Sequence, residues 1–190
     1  MNALNTLEIP VLLWIQNNLR FPAMDFFMKY IGMLNNAGII TIGVSVLLTL
    51  TRKYRRTGVT CMISLAVEFI LCNLVFKYLA VRIRPYDVCA ELIPVIEKLS
   101  DYSFPSGHAG SSFAVAMVMA YMMPKKWGAL AVVFAVLISF SRIYVGVHYP
   151  TDVLAGALLG IVTAWGARML IRRIWKQKPK HKKKHKPIAA

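Results

Sequence analysis

A chain of 190 residues, 57% hydrophobic and only 16% charged, has the length of one domain and more apolar character than a soluble domain of that size carries. Its formal net charge of +15 would suit nucleic acid if the basic residues were interleaved with aromatics over a soluble surface. Instead, most of the 23 Lys and Arg fall in three clusters separated by apolar segments, so a membrane protein with no nucleic-acid partner is expected.

The N-terminus lacks the basic region, short apolar run and small-residue cleavage site of a removable signal peptide, so the chain is expected to insert as synthesised. Residues 4 to 19 carry Leu4, Leu7, Val11, Trp14 and Ile15 at helical spacing, interrupted by Pro10. They predict a helix lying in the outer interface, with a sixth short span as the competing reading. Five stretches follow that are apolar enough to cross a bilayer, at about 31 to 51, 57 to 80, 106 to 123, 127 to 145 and 152 to 171, each near the ~20 residues a helical span needs. Continuous apolar runs without alternating polarity select helices over a barrel. The expected fold is therefore all-α: a polytopic transmembrane helix bundle of five spans plus an N-terminal interfacial helix.

The basic clusters set the topology. Arg52 to Arg56, Lys125 with Lys126, and Arg168 to Lys186 lie where a five-span chain returns to one face, which the positive-inside rule assigns to the cytoplasm. Residues 81 to 105, residues 146 to 151 and the first thirty residues then lie outside. Residues 1 to 175 form the membrane-embedded domain. Residues 176 to 190, Lys-rich with His181 and His185, form a solvated cytoplasmic tail that fixes orientation or touches anionic lipid. In the last span Gly156, Gly160 and Ala164 recur every four residues, a stripe that lets another helix approach closely. Cys61, Cys72 and Cys89 are odd in number and show no framework or metal-like spacing, so no disulfide scaffold is implied.

The basic residues outside the clusters carry the chemistry. Lys77 closes the second span, Arg84 follows just before Pro85, and Arg142 closes the fourth. All three map to the outer face, and three converging cations call for an anion. Arg82 and Lys98 read as snorkelling anchors, and Arg20 as part of the N-terminal surface. Pro105-Ser106-Gly107-His108 opens the third span on the same face, where a helix N-terminus with a small hydroxyl and a glycine suits phosphate. His148 lies four residues before Asp152, a spacing that allows a carboxylate to fix the imidazole tautomer and leave the other nitrogen free to attack. Two histidines suit covalent phosphoryl transfer, one attacking phosphorus and one protonating the departing oxygen. Glu68 sits mid-span, where an ionised carboxylate is costly, and its role stays open.

Lys77 to Arg84-Pro85, Pro105 to His108, and Ser141-Arg142 to His148 to Asp152 together resemble the three signature motifs of the type 2 phosphatidic acid phosphatase family, with every motif position matched. That resemblance implies a six-span bundle, a phosphohistidine intermediate, no metal and no cofactor. It makes His148 the nucleophile oriented by Asp152 and His108 the acid for the leaving group. Lys77, Arg84, Ser106, Gly107 and Arg142 become the phosphate binders. The small size and spare loops resemble bacterial members that act on lipids in the inner membrane, with undecaprenyl pyrophosphate the leading substrate and phosphatidylglycerophosphate or phosphatidic acid the runner-up. Two other readings stand beside it: a carrier that holds phosphate without cleaving it, and a phosphotransferase that uses a nonaqueous acceptor.

Overall fold

The computed structural model describes residues 3–176; the basic tail expected beyond them lies outside the described residues. Nine α-helices are described: α1 Ala3–Leu19, α2 Pro22–Met33, α3 Ile39–Leu50, α4 Arg55–Phe69, α5 Lys77–Ala80, α6 Pro85–Val88, α7 Gly107–Met122, α8 Lys125–Tyr144 and α9 Pro150–Lys176. No strand occurs among the described residues. Arg55–Val88, Lys125–Tyr144 and Pro150–Trp175 are long and apolar enough to cross a bilayer.

The first expected span, 31 to 51, proves to be the second half of a broken pair. Pro22–Met33 and Asn36–Leu50 qualify together, bent by 43°. The break is made by Asn35, Asn36, Ala37 and Gly38, with Ala37 and Gly38 both at positive φ. It is stitched to α7, because Asn35, 1% exposed, donates from Nδ2 to the hydroxyls of Ser111 at 2.8 Å and Ser112 at 3.0 Å. The second span also changes pitch: a π-helical stretch, Ile70–Phe76, joins α4 to α5. Such stretches are rare in α-helices and concentrate at functional sites. Here it lies just below Lys77.

α7 is the axis of the bundle. Its 16 residues reach about 24 Å at the helical rise, and it packs on α4, α8 and α9. The predicted stripe on α9 is used against it: a Cβ on Gly156 would meet the Ser106 carbonyl oxygen at 2.3 Å, and one on Gly160 would meet that of Gly110 at 2.3 Å. This close approach sets Asp152, at the head of α9, beside the start of α7, and the Ser106 amide donates to the Asp152 carbonyl at 3.0 Å.

The N-terminal helix has two faces of different character. Leu7, Val11 and Trp14 are exposed, as an interfacial stripe requires, but Asn5, Glu8, Ile9, Leu12 and Ile15 are buried. The buried side rests on the 81 to 105 loop and the α8–α9 turn, with Ile9 and Leu12 packed on Leu92 and Tyr149. Gln16 accepts from the Ile93 amide at 2.9 Å and donates to the Glu91 carbonyl at 2.9 Å. Arg20, expected to be a surface residue, instead donates to the carbonyls of Ile93 and Tyr144. The turn it holds contains Gly146 at φ 78, a left-handed conformation that a β-carbon disfavours. Because α1, the loop and this turn are tied together, this end of the bundle is a folded cap.

Candidate active site

A cavity of about 530 Å³ opens under the cap, walled by Lys77, Arg84, Asp101, Gly107, His108 and His148 among others, with Glu68 and Leu65 deeper down. The three motif segments, far apart in sequence, therefore meet at one place. Ser106 and Arg142 stand just behind the wall, and each carries a buried polar atom without a hydrogen-bond partner: Ser106 Oγ and Arg142 Nη2. Arg142 owes its position to Gly32 of α2, where a Cβ would fall 1.6 Å from Nη2.

The expected cradle at the head of α7 needs one amendment. The helix begins at Gly107 with Ser106 as its N-cap, and the Ser106 amide is already committed to Asp152. The first-turn amides of Gly107 and His108 remain as the donors an anion would meet. A Cβ on Gly107 would find nothing nearer than 3.7 Å, so the glycine keeps that approach open without being forced by packing.

His148 is 3% exposed and lies between a guanidinium and a carboxylate. Its Nε2 is 3.4 Å from Arg84 Nη1, and its Nδ1 is 3.5 Å from Asp152 Oδ2. The second separation is too long for a hydrogen bond, and Nδ1 is left unpartnered. The bond expected from the spacing is thus an approach, of the kind that tightens when substrate binds. Burial pushes the His148 imidazole down to about 4; the pull of Asp152 opposes this and the charges of Arg84 and Arg142 add to it. The ring is therefore neutral near pH 7, the form a nitrogen nucleophile needs.

Arg84 is held by three further bonds, to the Val147 carbonyl at 2.7 Å, the Asp101 carbonyl at 2.9 Å and Asp101 Oδ1 at 2.6 Å. Asp101 also forms an ion pair with Lys77. Burial would raise the Asp101 carboxyl, but the Lys77 hydrogen bond and the Arg84 charge outweigh it and hold it at about 2. Two of the expected phosphate binders thus share one carboxylate at the cavity wall. Across the cavity His108 Nε2 lies 3.0 Å from Asn36 Oδ1, within hydrogen-bond reach.

Besides Asp101, three contributors were not identified from sequence. Asn36 belongs to an Asn-Asn-Ala-Gly run inside an apolar segment, a break signal that was legible. Ser103 donates from Oγ to Asp152 Oδ2, for which the sequence held no signal. Arg82, read as a snorkelling anchor, is instead bonded to Asp152 Oδ1 at 2.6 Å and Glu8 Oε2 at 2.5 Å. Lys98 pairs with Asp87 at 3.2 Å on the exposed loop. Glu68 is 2% exposed, with Oε1 unpartnered and pressed against Gly110. Among the described residues, no group of three or more His, Cys, Asp and Glu is placed to share a metal ion.

Residues 56–176 match the family model described as the PAP2 superfamily. An undecaprenyl-diphosphatase of Sulfolobus acidocaldarius is 39% identical over 121 residues, covering 64% of this chain and 58% of that protein, so this chain spans less than two thirds of that relative. The crystal structure of Aquifex aeolicus LpxE superposes with a TM-score of 0.76 at 26% identity, covering 86% of this chain and 95% of that one. A transmembrane PAP2 type phosphatidylglycerolphosphate phosphatase from Bacillus subtilis shares the fold, with a TM-score of 0.73 at 23% identity over 96% of this chain and 90% of that one. The family resemblance of the motifs and the all-α membrane fold are both borne out.

Proposed function

Because this chain belongs to the PAP2 superfamily, we propose that it is a metal-independent membrane phosphatase working through a phosphohistidine on His148. The observation that carries the reading is the placement of His148: a buried ring with one nitrogen at the cationic wall of the cavity and the other facing Asp152. A carrier needs the cations but has no use for an oriented, neutral imidazole.

In this mechanism the lone pair of His148 Nε2 forms a bond to phosphorus while the bond from phosphorus to the leaving oxygen breaks. Lys77, Arg84 and Arg142 offset charge on the equatorial oxygens, joined by the Gly107 and His108 amides. Positive charge that develops on the His148 ring is met by Asp152. His108, entering the step protonated on both ring nitrogens, gives one proton to the leaving oxygen; the neutral ring then takes a proton from the water that attacks phosphohistidine, which restores His148 and releases phosphate.

The leading substrate is undecaprenyl pyrophosphate, met at the outer face of a bacterial inner membrane with the C-terminus in the cytoplasm. The name of the Sulfolobus relative supports the substrate, and the three basic clusters support the orientation. The test is phosphate release by the purified protein offered undecaprenyl pyrophosphate, phosphatidylglycerophosphate or phosphatidic acid, with acid-quenched phosphoenzyme measured alongside. His148→Ala is expected to abolish the phosphoenzyme and lower turnover by at least about 10³-fold. Full turnover in that variant overturns the mechanism, and preference for another lipid overturns the substrate. EDTA is expected to leave activity intact, and vanadate to inhibit it as an analogue of the transferring phosphoryl group.

A further inference from the structure

Behind His148, on the side away from the cavity, lies a second charge cluster that the mechanism above does not use. Arg82 is at its centre, with its side chain 13% exposed between Asp152 at 0% and Glu8 at 9%. Nη1 donates to Asp152 Oδ1 at 2.6 Å and to Thr151 Oγ1 at 2.7 Å. Nη2 donates to Asn5 Oδ1 at 2.9 Å and Glu8 Oε2 at 2.5 Å. One face of the guanidinium is covered by the Tyr149 ring, 3.9 Å away. Glu8 reaches further, accepting from the Thr151 amide at 2.7 Å and the Thr151 hydroxyl at 3.0 Å. It thereby supplies a carboxylate to the first turn of α9 from another helix, where the dipole favours negative charge.

We infer that Arg82 and Glu8 are positioning residues for the phosphoryl transfer, which makes α1 a working part of the active site. Asp152 is fixed on every side but one: Oδ1 takes Arg82, while Oδ2 takes the Tyr149 amide at 2.9 Å and the Ser103 hydroxyl. Only the approach to His148 Nδ1 is left. The planar fork of Arg82 grips two groups on each nitrogen, a task a lysine ammonium performs poorly. Charge balance gives Glu8 its part. Arg82 alone would neutralise Asp152 and leave nothing to meet the positive charge that develops on the His148 ring. With Glu8 present the cluster of one cation and two carboxylates keeps one negative charge, in surroundings of low dielectric where it is strongly felt.

The inference rests on the reading of His148 as nucleophile, and a double-mutant cycle separates the two. The measurements are kcat and KM of purified Arg82→Gln, Arg82→Lys and Glu8→Gln, each alone and combined with Asp152→Asn, with thermal unfolding as the check on folding. Arg82→Gln is expected to lower kcat about 100-fold, the cost of a misplaced catalytic group, with KM changed less than about twofold because the cavity wall is untouched. Arg82→Lys is expected to recover only part of that loss, and Glu8→Gln to lower kcat about tenfold. In the Asp152→Asn background, each change is expected to lower kcat by less than about twofold further, since residues acting through one carboxylate are not additive. Losses that multiply with Asp152→Asn, or full kcat in folded Arg82→Gln and Glu8→Gln proteins, overturn the inference. If Arg82 variants fail to fold, the isosteric Glu8→Gln and its double mutant decide it. Turnover retained in His148→Ala overturns the underlying mechanism instead.

Discussion

Arg82 and Arg84 are two residues apart and each ends on carboxylates, yet they serve opposite sides of His148. Arg84 and Lys77 meet Asp101, whose side chain is 48% exposed at the cavity wall; Arg82 meets Asp152 and Glu8, both sealed away. Residues two apart on regular extended backbone share a face; here the chain leaves α5 through a left-handed Val81 and enters α6 at Pro85, and the two guanidiniums end on separate partners. The contrast teaches which charges can be exchanged. A carboxylate at an open wall can give way to a phosphate, and in the structure Asp101 holds the two cations proposed to bind one. A carboxylate sealed against a guanidinium cannot leave without stranding a buried charge, which costs several kcal/mol.

The sharpest way to break that comparison is to remove the front cation. Arg84→Gln is expected to lower kcat/KM by about 10² to 10³, as loss of a donor to a developing anion does, and a loss below tenfold in a phosphate-release assay removes Arg84 from the phosphate site. His108→Ala should sort substrates. A diphosphate departs as a phosphate monoester and needs little protonation, whereas phosphatidic acid departs as an alkoxide and needs it strongly. The variant is expected to lose about 10² to 10⁴ on phosphatidic acid and clearly less on a polyprenyl diphosphate; equal losses on both argue against the acid role.

Smaller effects test the exchange itself. Asp101→Asn frees Lys77 and Arg84 from their half-exposed partner, so vanadate is expected to bind about two- to fivefold more tightly, the scale of an exposed ion pair. Weaker inhibition shows instead that Asp101 orients the two cations for the anion. The weakest effect is on stability. His148 in the folded protein resists protonation down to about 4, while in the unfolded chain it takes up a proton near 6.5. Stability is therefore expected to fall as the pH drops from about 6.5 to 4, and the melting temperature of His148→Ala to fall less over the same window. Asp101, held at about 2, adds a loss only as the pH falls below about 4.

The motifs made Lys77, Arg84, His108, His148 and Asp152 legible because their chemistry is tied to residue type at short spacing, and a helix start or a four-residue offset can be read along the chain. The Gly156, Gly160 and Ala164 stripe was legible for the same reason. Arg82 was misread because a lone basic residue at a span end looks the same whether it snorkels or is clamped, and its partners Asn5 and Glu8 lie more than seventy positions away. The apolar face of α1 showed in its spacing, but the polar contacts of its other face did not.

By itself the sequence determined an all-α membrane chain, the approximate place of its apolar segments and which side chains are candidates for one phosphate site, since hydropathy and motif spacing are local properties. The tertiary structure alone decided that the first span breaks at Asn35 to Gly38, that Ser106 commits its amide to Asp152, and that α1 reaches the Asp152 carboxylate through Arg82. Those outcomes depend on which buried polar groups find partners across the fold, and a buried donor or charge is satisfied by whatever lies nearest in space, however distant in the chain.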